Sequence, residues 1–152
     1  MADTANNKEP CRYYDKEPCC YYYDDSNLQN ALEYWKKVLH LQNWCIKAIL
    51  TGENLEVDGR AVHGRNTTEY LKCESFIEIS TVEYDNEYTK HCEELTLVHE
   101  LLHCAMPLFC NDDDSATMRD AWVELLEHQR IDMLAKSLIM AKYGVGIEWF
   151  MK

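Results

Sequence analysis

The stretch TLVHELLHCAM, residues 96–106, decides how the rest of this sequence is interpreted. Its apolar residues recur at intervals of three and four, which predicts a helix with one face in a core. The same run carries His99, Glu100 and His103, three proton-active side chains within little more than one turn. Burying two imidazoles and a carboxylate without strong partners is costly, so the helix needs a reason to carry them.

The spacing of the two histidines suits a metal ion. Residues four apart on a helix are separated by about 40° around the axis and about 6 Å along it. His99 and His103 therefore point the same way, and their imidazoles can converge on one tetrahedral ion with Zn–N bonds of about 2.1 Å. The alternative interpretation is a pair of core histidines that hydrogen-bond to their neighbours.

Glu100 has the position of a general base in this pattern. It lies about 100° around the helix from His99, close enough to reach a water on the metal without ligating the ion. There it would take a proton from the water and pass it to the leaving amine, while zinc polarises the substrate carbonyl. HExxH on a predicted helix therefore predicts zinc-dependent hydrolysis, with Glu100 as the catalytic residue.

A third zinc ligand has to come from another element, because a catalytic zinc site uses three protein ligands and one open position. The segment 122–140 predicts a long helix with this apolar stripe: Trp122, Leu125, Leu126, Ile131, Leu134, Ala135 and Leu138. Glu127 and His128 lie one turn before Ile131, and both can point inward. Asp132 is placed to hold the other ring nitrogen of His128. The alternative is that EHQR, residues 127–130, is a solvated face.

Three further histidines show no such pattern: His40, His63 and His91. Each is isolated in the sequence. We expect them at the surface or hydrogen-bonded to neighbours, outside the metal site.

The helices can be bounded from the sequence. Ser26 or Asn27 can cap a first helix, with apolar residues at helical spacing: Leu28, Leu32, Trp35, Val38 and Leu39. A second helix covers about 91–106 and ends before Pro107. A third starts at a cap on Asp114 or Ser115 and reaches Tyr143, where glycines follow and release a short tail.

About three strands separate the first helix from the second. The β-like runs are 43–50, 64–71 and 74–81, and TGEN and VDGR between them have turn chemistry. In the last run Ile77 and Ile79 share one face. The order of helix, about three-stranded sheet, HExxH helix and long C-terminal helix predicts an α+β domain, with the helices on one face of the sheet.

The first 25 residues form a separate segment. KEPCRYYD, residues 8–15, is followed at once by KEPCCYYYDD, residues 16–25, and the prolines break any helix there. The predicted division is a flexible Cys/Tyr-rich leader at 1–25 and a folded domain at 26–152. The alternative for the leader is a small metal site or an interaction arm on its cysteines, although no His or CxxC pair completes a zinc pattern.

Composition limits the partners and the compartment. Fifteen basic against 27 acidic residues give a net charge of −12, which disfavours nucleic acid and anionic membrane surfaces as partners. No run reaches the length of about 18 apolar residues that a membrane span needs, and the polar start lacks the layout of a secretion signal. Among the eight cysteines, Cys45, Cys92 and Cys104 fall where a small apolar residue would serve. We expect mostly reduced thiols in a cytoplasmic protein.

Four segments together resemble a known family. They are YWKKVLHLQNWCIKAIL at 34–50, FIEIS at 76–80, EELTLVHELLHCAMPLF at 93–109 and EHQRIDMLAKSLI at 127–139. The chain resembles the short zincin-like metallopeptidases of bacteriophages and, more distantly, minimal gluzincins and SprT-like proteases. The resemblance covers 27–140, is specific at TLVHELLH and has no counterpart for the leader.

The resemblance implies a zincin-like minimal metallopeptidase core that binds Zn²⁺ through His99 and His103, with Glu100 as catalytic acid/base. The third ligand of such proteins is usually a Glu, three residues before an aliphatic residue and six before a Leu-Ala pair. Counting back from the pair at Leu134 reaches His128, which favours His128 as the ligand and leaves Glu127 as the alternative. A third imidazole also leaves room for a site that binds metal without cutting.

Two functions follow as expectations. The first is a metallopeptidase of the host or phage cytoplasm, acting on a peptide or protein substrate that adds as a strand to a sheet edge near 76–81. The second is a catalytically inactive binding module, in which the metal staples two helices and the leader or the tail at 147–150 carries recognition. Glu100 favours the peptidase, because a structural metal site gains nothing from a carboxylate beside an open position. The sequence leaves the oligomeric state open.

Overall fold

A computed structural model describes residues 25–82, 92–106 and 118–151 of the chain, of which 118–120 are described by their backbone alone. The helices are α1 (Asp25–Val38), α2 (Glu93–Ala105) and α3 (Met118–Tyr143), with 3-10 helices at Tyr70–Lys72 and Ile147–Phe150. The strands are β1 (Cys45–Thr51), β2 (Leu55–Val57), β3 (Arg60–Val62), β4 (Gly64–Glu69) and β5 (Glu74–Ser80). The predicted α+β class is confirmed.

Several predictions from the sequence lie outside the described residues. They concern the leader, the stop at Pro107 and the cap of α3 at Asp114 or Ser115. Helix α1 begins at Asp25, one residue before the predicted start of the folded domain. The described strands number five, more than the three expected, since the turn regions form a ribbon of their own. No described helix combines the length and apolarity required to cross a bilayer.

The main sheet is mixed and has the order β1-β5-β4. β5 pairs in parallel with β1 and antiparallel with β4. Ile77 and Ile79 are fully buried, as their predicted shared face requires, whereas Phe76 is 39% exposed on the opposite face. Because β5 is the central strand, the expectation of a substrate-binding edge at 76–81 is wrong. The edges of this sheet are β1 and β4.

The ribbon β2–β3 is a tight hairpin built on VDGR. Val57 pairs with Arg60, and the two residues between them, Asp58 and Gly59, have φ values of 51° and 74°. Two successive positive φ values belong to a type I′ turn, whose twist matches that of the flanking strands. Asp-Gly is one of the residue pairs that tolerate this backbone, so the turn follows from local sequence alone.

Helix α1 packs on the sheet through a stripe with helical spacing. The stripe is formed by Leu28, Ala31, Leu32 and Trp35, all at most 1% exposed. Val38 was expected to belong to it but is 40% exposed, because α1 ends at this residue and the chain turns away through His40, which has a left-handed φ of 57°.

Helix α3 is buried only over its C-terminal half. Ile131, Ala135 and Ile139, one turn apart, are almost completely buried. The N-terminal part of the predicted stripe is exposed: Trp122 at 61%, Leu125 at 49% and Leu126 at 49%. The described core therefore covers fewer turns of α3 than the apolar pattern predicted. Gly144, with φ of 67°, ends the helix as the sequence indicated.

The tail after α3 returns to the core. Phe150 is 3% exposed, and the ring of Trp149 meets it edge to face at a centroid distance of 5.1 Å. Trp149 and Phe150 therefore pack on the core, whereas Ile147 of the same segment is 57% exposed.

The four described cysteines, Cys45, Cys73, Cys92 and Cys104, are free thiols. Cys92 and Cys104 are buried, as expected for residues that serve as small apolar side chains. Cys92 also caps α2, with its Sγ accepting from the Leu95 N–H at 3.4 Å. Cys45 is exposed, contrary to the prediction, because its position on β1 faces away from the helices.

A buried carboxylate joins all three helices. Glu94, in the first turn of α2, is 0% exposed. Its Oε1 accepts hydrogen bonds from Trp35 Nε1 of α1 at 2.7 Å and from Lys142 Nζ of α3 at 2.5 Å, and its Oε2 accepts from the Tyr143 hydroxyl at 2.5 Å. The Lys142 ammonium also lies 4.4 Å from the centroid of the Tyr34 ring. A buried charge with this many partners fixes how the helices are arranged.

We expect Glu94→Gln to destabilise the protein by about 3 kcal/mol, because it leaves the buried Lys142 ammonium without its countercharge. The measurement is the free energy of unfolding in urea. Glu69→Gln is the matched control, since Glu69 pairs with Lys72 at the surface, where both side chains are more than 60% exposed. That change is expected to stay within about 0.5 kcal/mol. Equal effects of the two variants would show that the Glu94 network does not stabilise the fold.

Candidate metal centre

Three histidines from two helices converge in space. His99 and His103 of α2 and His128 of α3 each offer a ring nitrogen, and these nitrogens all lie within 4.8 Å of one another. The ring centroids are 5.0–5.3 Å apart. Among the described His, Cys, Asp and Glu residues, this is the group whose ligand atoms come together. Glu127, the alternative third ligand, is not part of it.

The distances within the triad of His99, His103 and His128 fit a tetrahedral ion. The Nε2 atoms of His99 and His103 are 3.2 Å apart. Two nitrogens bound at about 2.1 Å to a tetrahedral zinc ion are separated by about 3.4 Å. Imidazole nitrogens are ligands that zinc accepts, and His128 is exposed, so one side of the triad remains open to solvent.

Asp132 orients a histidine of the triad, but not the one predicted. Its Oδ1 accepts a hydrogen bond from Nδ1 of His99 at 2.8 Å. The prediction assigned Asp132 to His128, four residues earlier on the same helix. The correction follows from helix packing: α3 presents Asp132 across the interface to α2. The bond holds the proton of His99 on Nδ1 and leaves Nε2 free to face the triad.

The electrostatics of the triad depend on burial and on Asp132. Burial alone would lower the pKa of His99, but the hydrogen bond to Asp132 and the nearby carboxylates raise it above its usual value. Burial, together with repulsion from His99 and His128 when they are charged, lowers the pKa of His103 to about 4. A neutral His103 keeps a lone pair available, which is the form that binds a metal.

Glu100 lies beside the triad with its carboxylate buried. The residue is 7% exposed, and burial raises its pKa to about 7, although the charge of His99 opposes this. It lines a cavity of about 300 Å³ together with His99, His128 and Asp132. The half-exposed Asp132 marks where this cavity meets solvent. A carboxyl group that titrates near neutral pH is suited to take up and release protons.

Strand β4 and the 3-10 helix that follows it attach α2 to the sheet. Asn66 donates from Nδ2 to the Glu100 carbonyl oxygen at 2.8 Å, and the Tyr70 hydroxyl donates to the His103 carbonyl oxygen at 3.0 Å. The Asn66 Oδ1 in turn accepts from the hydroxyls of Thr68 and Ser75. These contacts fix the backbone of α2 at Glu100 and His103, whose side chains belong to the candidate site.

Gly64 gives Glu100 the room it occupies. A Cβ at position 64 would lie 2.6 Å from Thr96 Cγ2 and 2.7 Å from Glu100 Oε1, both closer than atoms can pack. Sequence analysis missed Gly64 and Asn66. The signal was present in GRNTTE, whose inward-facing residues are Gly64, Asn66 and Thr68. A strand whose inner face is polar and small does not pack on apolar side chains, and here it packs on the backbone of a helix.

The three histidines that are isolated in the sequence lie in different surroundings. His40 is exposed, as predicted. His91 lies outside the described residues. His63 was expected at the surface or hydrogen-bonded to neighbours; it is partly buried, lies outside the group of converging ligand atoms and lines the same cavity as Glu100. It stands at the corner between β3 and β4, which the fold brings over α2, and no local pattern in the sequence indicated this.

We expect purified protein loaded with zinc to hold close to one ion per chain, and His128→Ala to hold almost none, because the two remaining imidazoles give an incomplete ligand set. The adjacent change Glu127→Ala is the matched control and is expected to keep the ion. Metal content after dialysis, measured by mass spectrometry, checks both. Zinc loss in Glu127→Ala together with retention in His128→Ala would contradict the ligand set His99, His103 and His128.

Three imidazoles, a buried carboxylate and an opening to solvent are what a hydrolytic metal site requires. The three imidazoles could hold a metal ion, and the buried Glu100 carboxylate lines the same cavity as His99 and His128. No protein-family model, curated protein or solved structure matches this chain.

Proposed function

We propose that this protein is a zinc-dependent metallopeptidase that hydrolyses peptide bonds. The observation that carries the proposal is the position of Glu100, a buried carboxylate in the same cavity as the triad of His99, His103 and His128. The chain's resemblance to short zincin-like metallopeptidases agrees with this assignment. The class α+β and the order of its elements are compatible with it.

The ligands in this proposal are His99, His103 and His128. Zinc held by them would polarise the substrate carbonyl and make an attacking water more acidic. Asp132 positions His99 through the bond to Nδ1 and so directs Nε2 toward the other imidazoles. Imidazoles bound to zinc would be neutral ligands, so the ion would keep most of its charge for this chemistry.

Glu100 carries the proton in the reaction. It accepts a proton from the water whose oxygen attacks the carbonyl carbon of the peptide bond. The C–N bond then breaks, and Glu100 delivers the proton to the leaving amine, so the carboxylate is regenerated. Burial raises the pKa of Glu100 to about 7, while a cation at the triad would favour its ionised form. Gly64 and Asn66 hold it in place from β4.

The substrate in this proposal is an extended peptide. A cavity of about 300 Å³ is at the small end for ligand sites, so it accommodates a peptide unit with one side chain while the rest of the chain lies outside. β4 is the sheet edge whose inner face contacts α2. A peptide that adds to β4 as a further strand would bring a carbonyl group toward the triad. This replaces the edge first expected at β5.

The alternative is a catalytically inactive module in which a metal only joins α2 to α3. The exposed apolar residues on the N-terminal half of α3, among them Trp122, Leu125 and Leu126, favour a binding role. The two functions differ in whether they need Glu100. The peptidase uses its carboxylate as a base, whereas a module in which a metal only joins α2 to α3 does not need a carboxylate in the cavity.

We further propose that the protein works in the cytoplasm of a phage host or another cell. The free thiols among the described cysteines agree with a reducing compartment. The net charge of −12 disfavours nucleic acid and anionic membrane as partners. A peptide or protein substrate is the partner that the site supports.

Glu100→Gln is expected to lower kcat for peptide cleavage by about 10²-fold or more, because the amide cannot take the proton from water. The zinc content should stay close to that of the wild type, since Glu100 is not a ligand. The measurement is cleavage of a mixed-sequence quenched fluorescent peptide library by the zinc-loaded protein. Wild-type activity in Glu100→Gln would refute the mechanism, and absence of cleavage by the wild type would favour the inactive module.

Gly64→Ala is expected to keep zinc but to lose most of the cleavage activity, because the added methyl group displaces the Glu100 carboxylate. Gly52→Ala is the matched control: nothing lies within 4 Å of a Cβ at that position, and activity should be unchanged. The same peptide library and metal analysis apply. If both variants cleave equally well, the tight contact between Gly64 and Glu100 has no part in catalysis.

A further inference from the structure

Helix α3 carries a second apolar face, which the described part of the chain leaves open to solvent. Successive residues turn by about 100° around a helix, so Trp122, Leu126 and Met133 share one side of α3. Their exposed fractions are 61%, 49% and 70%. Ile131 and Ala135, which are buried in the core, lie on nearly the opposite side. Single exposed apolar side chains are ordinary, but a row of large ones marks an interaction surface.

This row has the spacing of a seam between two paired helices. Intervals of four, three and four residues separate Trp122, Leu126, Gln129 and Met133, and Lys136 follows three residues later. Such an alternation keeps one side of a helix facing a second helix over several turns. We call these five residues the outer stripe of α3. All of them are exposed except Lys136, which is partly buried.

We propose that the outer stripe of α3 is a dimer interface, which binds the outer stripe of a second copy of this chain with the two helices antiparallel. The inference is independent of the proposed peptidase function. His128 leaves α3 about 120° around the axis from the middle of the stripe, so the pairing does not use the candidate metal ligands.

A second copy of this chain is the partner whose charges fit the outer stripe. When one stripe is turned end over end against the other, the Trp122 end of each lies beside the Lys136 end of the other. An ammonium group over an indole ring is a favourable contact, more so where water is excluded. Leu126 and Met133 then cover each other on both sides of the axis, and the two Gln129 amides meet near it, where each can donate to the other. A parallel pair would instead set Lys136 against Lys136, and like charges in an interface oppose binding.

Pairing also covers a part of α3 that α2 does not reach. α3 has 26 residues, whereas α2 has 13. His128 lies beside His103, close to the end of α2 at Ala105, so the turns of α3 before His128 extend past that helix. Two outer stripes in contact would bury on the order of 1,000 Å² in total, which is the size of a small interface. The dimer is therefore expected to form and dissociate with concentration.

The test is the mass of the full-length chain in solution, measured by sedimentation velocity over about a hundredfold range of concentration. We expect the mass to rise with concentration from 17.9 kDa, the mass of one chain, toward twice that value. Leu126→Lys should raise the dissociation constant of the dimer at least about tenfold, because it places a charge in the middle of the stripe. Leu and Lys have similar helix propensities, so the variant should keep the helix, and circular dichroism checks this.

Leu71→Lys is the matched control, because Leu71 is a fully exposed leucine in the 3-10 helix after β4. Its dissociation constant should equal that of the wild type. A wild type that stays at 17.9 kDa at every concentration overturns the proposal, whether the stripe is then open or covered by another segment of the same chain. A dimer that both variants weaken equally, or that neither weakens, has its interface elsewhere and overturns the proposal as well.

Lys136→Gln tests the direction of the pair. In the antiparallel dimer it removes the contact between the ammonium group and the indole ring of Trp122, so the dissociation constant should rise about threefold. In a parallel dimer the same change would remove a repulsion and lower the constant. An unchanged or lower constant therefore contradicts the antiparallel arrangement. None of these measurements depends on peptide cleavage, so failure of the dimer and failure of the peptidase are told apart.

Discussion

The contact between helices α2 and α3 is the constraint on which the rest of the site depends. The two helices run antiparallel, and polar contacts join them at three levels: Glu94 with Lys142, His99 with Asp132, and His103 beside His128. Sliding α3 by one turn, about 5.4 Å, would bring Glu124 or Asp132 to the place of His128. The buried ion pair of Glu94 holds the helices in the register that brings the imidazoles together, because any slide would strand a charge in the core.

The sheet fixes α2 from the opposite side. Its edge strand β4 does not bury apolar side chains against the helix but offers Gly64, Asn66 and Thr68. Asn66 and the nearby Tyr70 bond to main-chain carbonyls of Glu100 and His103. Hydrogen bonds to the backbone define distance and direction more narrowly than apolar packing does. The two hydrogen bonds therefore fix the α2 backbone at Glu100 and at His103.

The buried carboxylates of this acidic chain differ in what offsets their charge. The chain has a net charge of −12, and two of its buried carboxylates, Glu94 and Glu100, have different surroundings. Glu94 is paired with an ammonium group, whereas Glu100 lies beside His99, and burial raises the pKa of Glu100 to about 7 although the charge of His99 opposes this. Under the proposed function, a divalent cation at the triad would bind the imidazole lone pairs and favour the ionised form of the nearby carboxylate.

Much of the fold could be predicted from local patterns. The helical periodicity of 96–106, the Asp-Gly turn at 58–59, the alternation at Ile77 and Ile79 and the glycine that ends α3 are each set by neighbouring residues, and the structure agrees with them. Strand order could not be predicted, because a central and an edge strand have similar short-range patterns. For this reason the edge was placed at β5 when it belongs to β4.

The residues of the candidate site also fall into two groups, those that the sequence predicted and those that only the fold brought together. The sequence by itself determined the pair His99 and His103 and the place of Glu100 beside them, because four-residue spacing on a helix fixes directions without help from the rest of the chain. Only the tertiary structure decided that His128 meets them, that Asp132 holds His99 and that the corner at His63 closes the cavity. Those relations join residues that are 25 or more positions apart and on different elements, and they depend on how helices and strands pack rather than on any local periodicity.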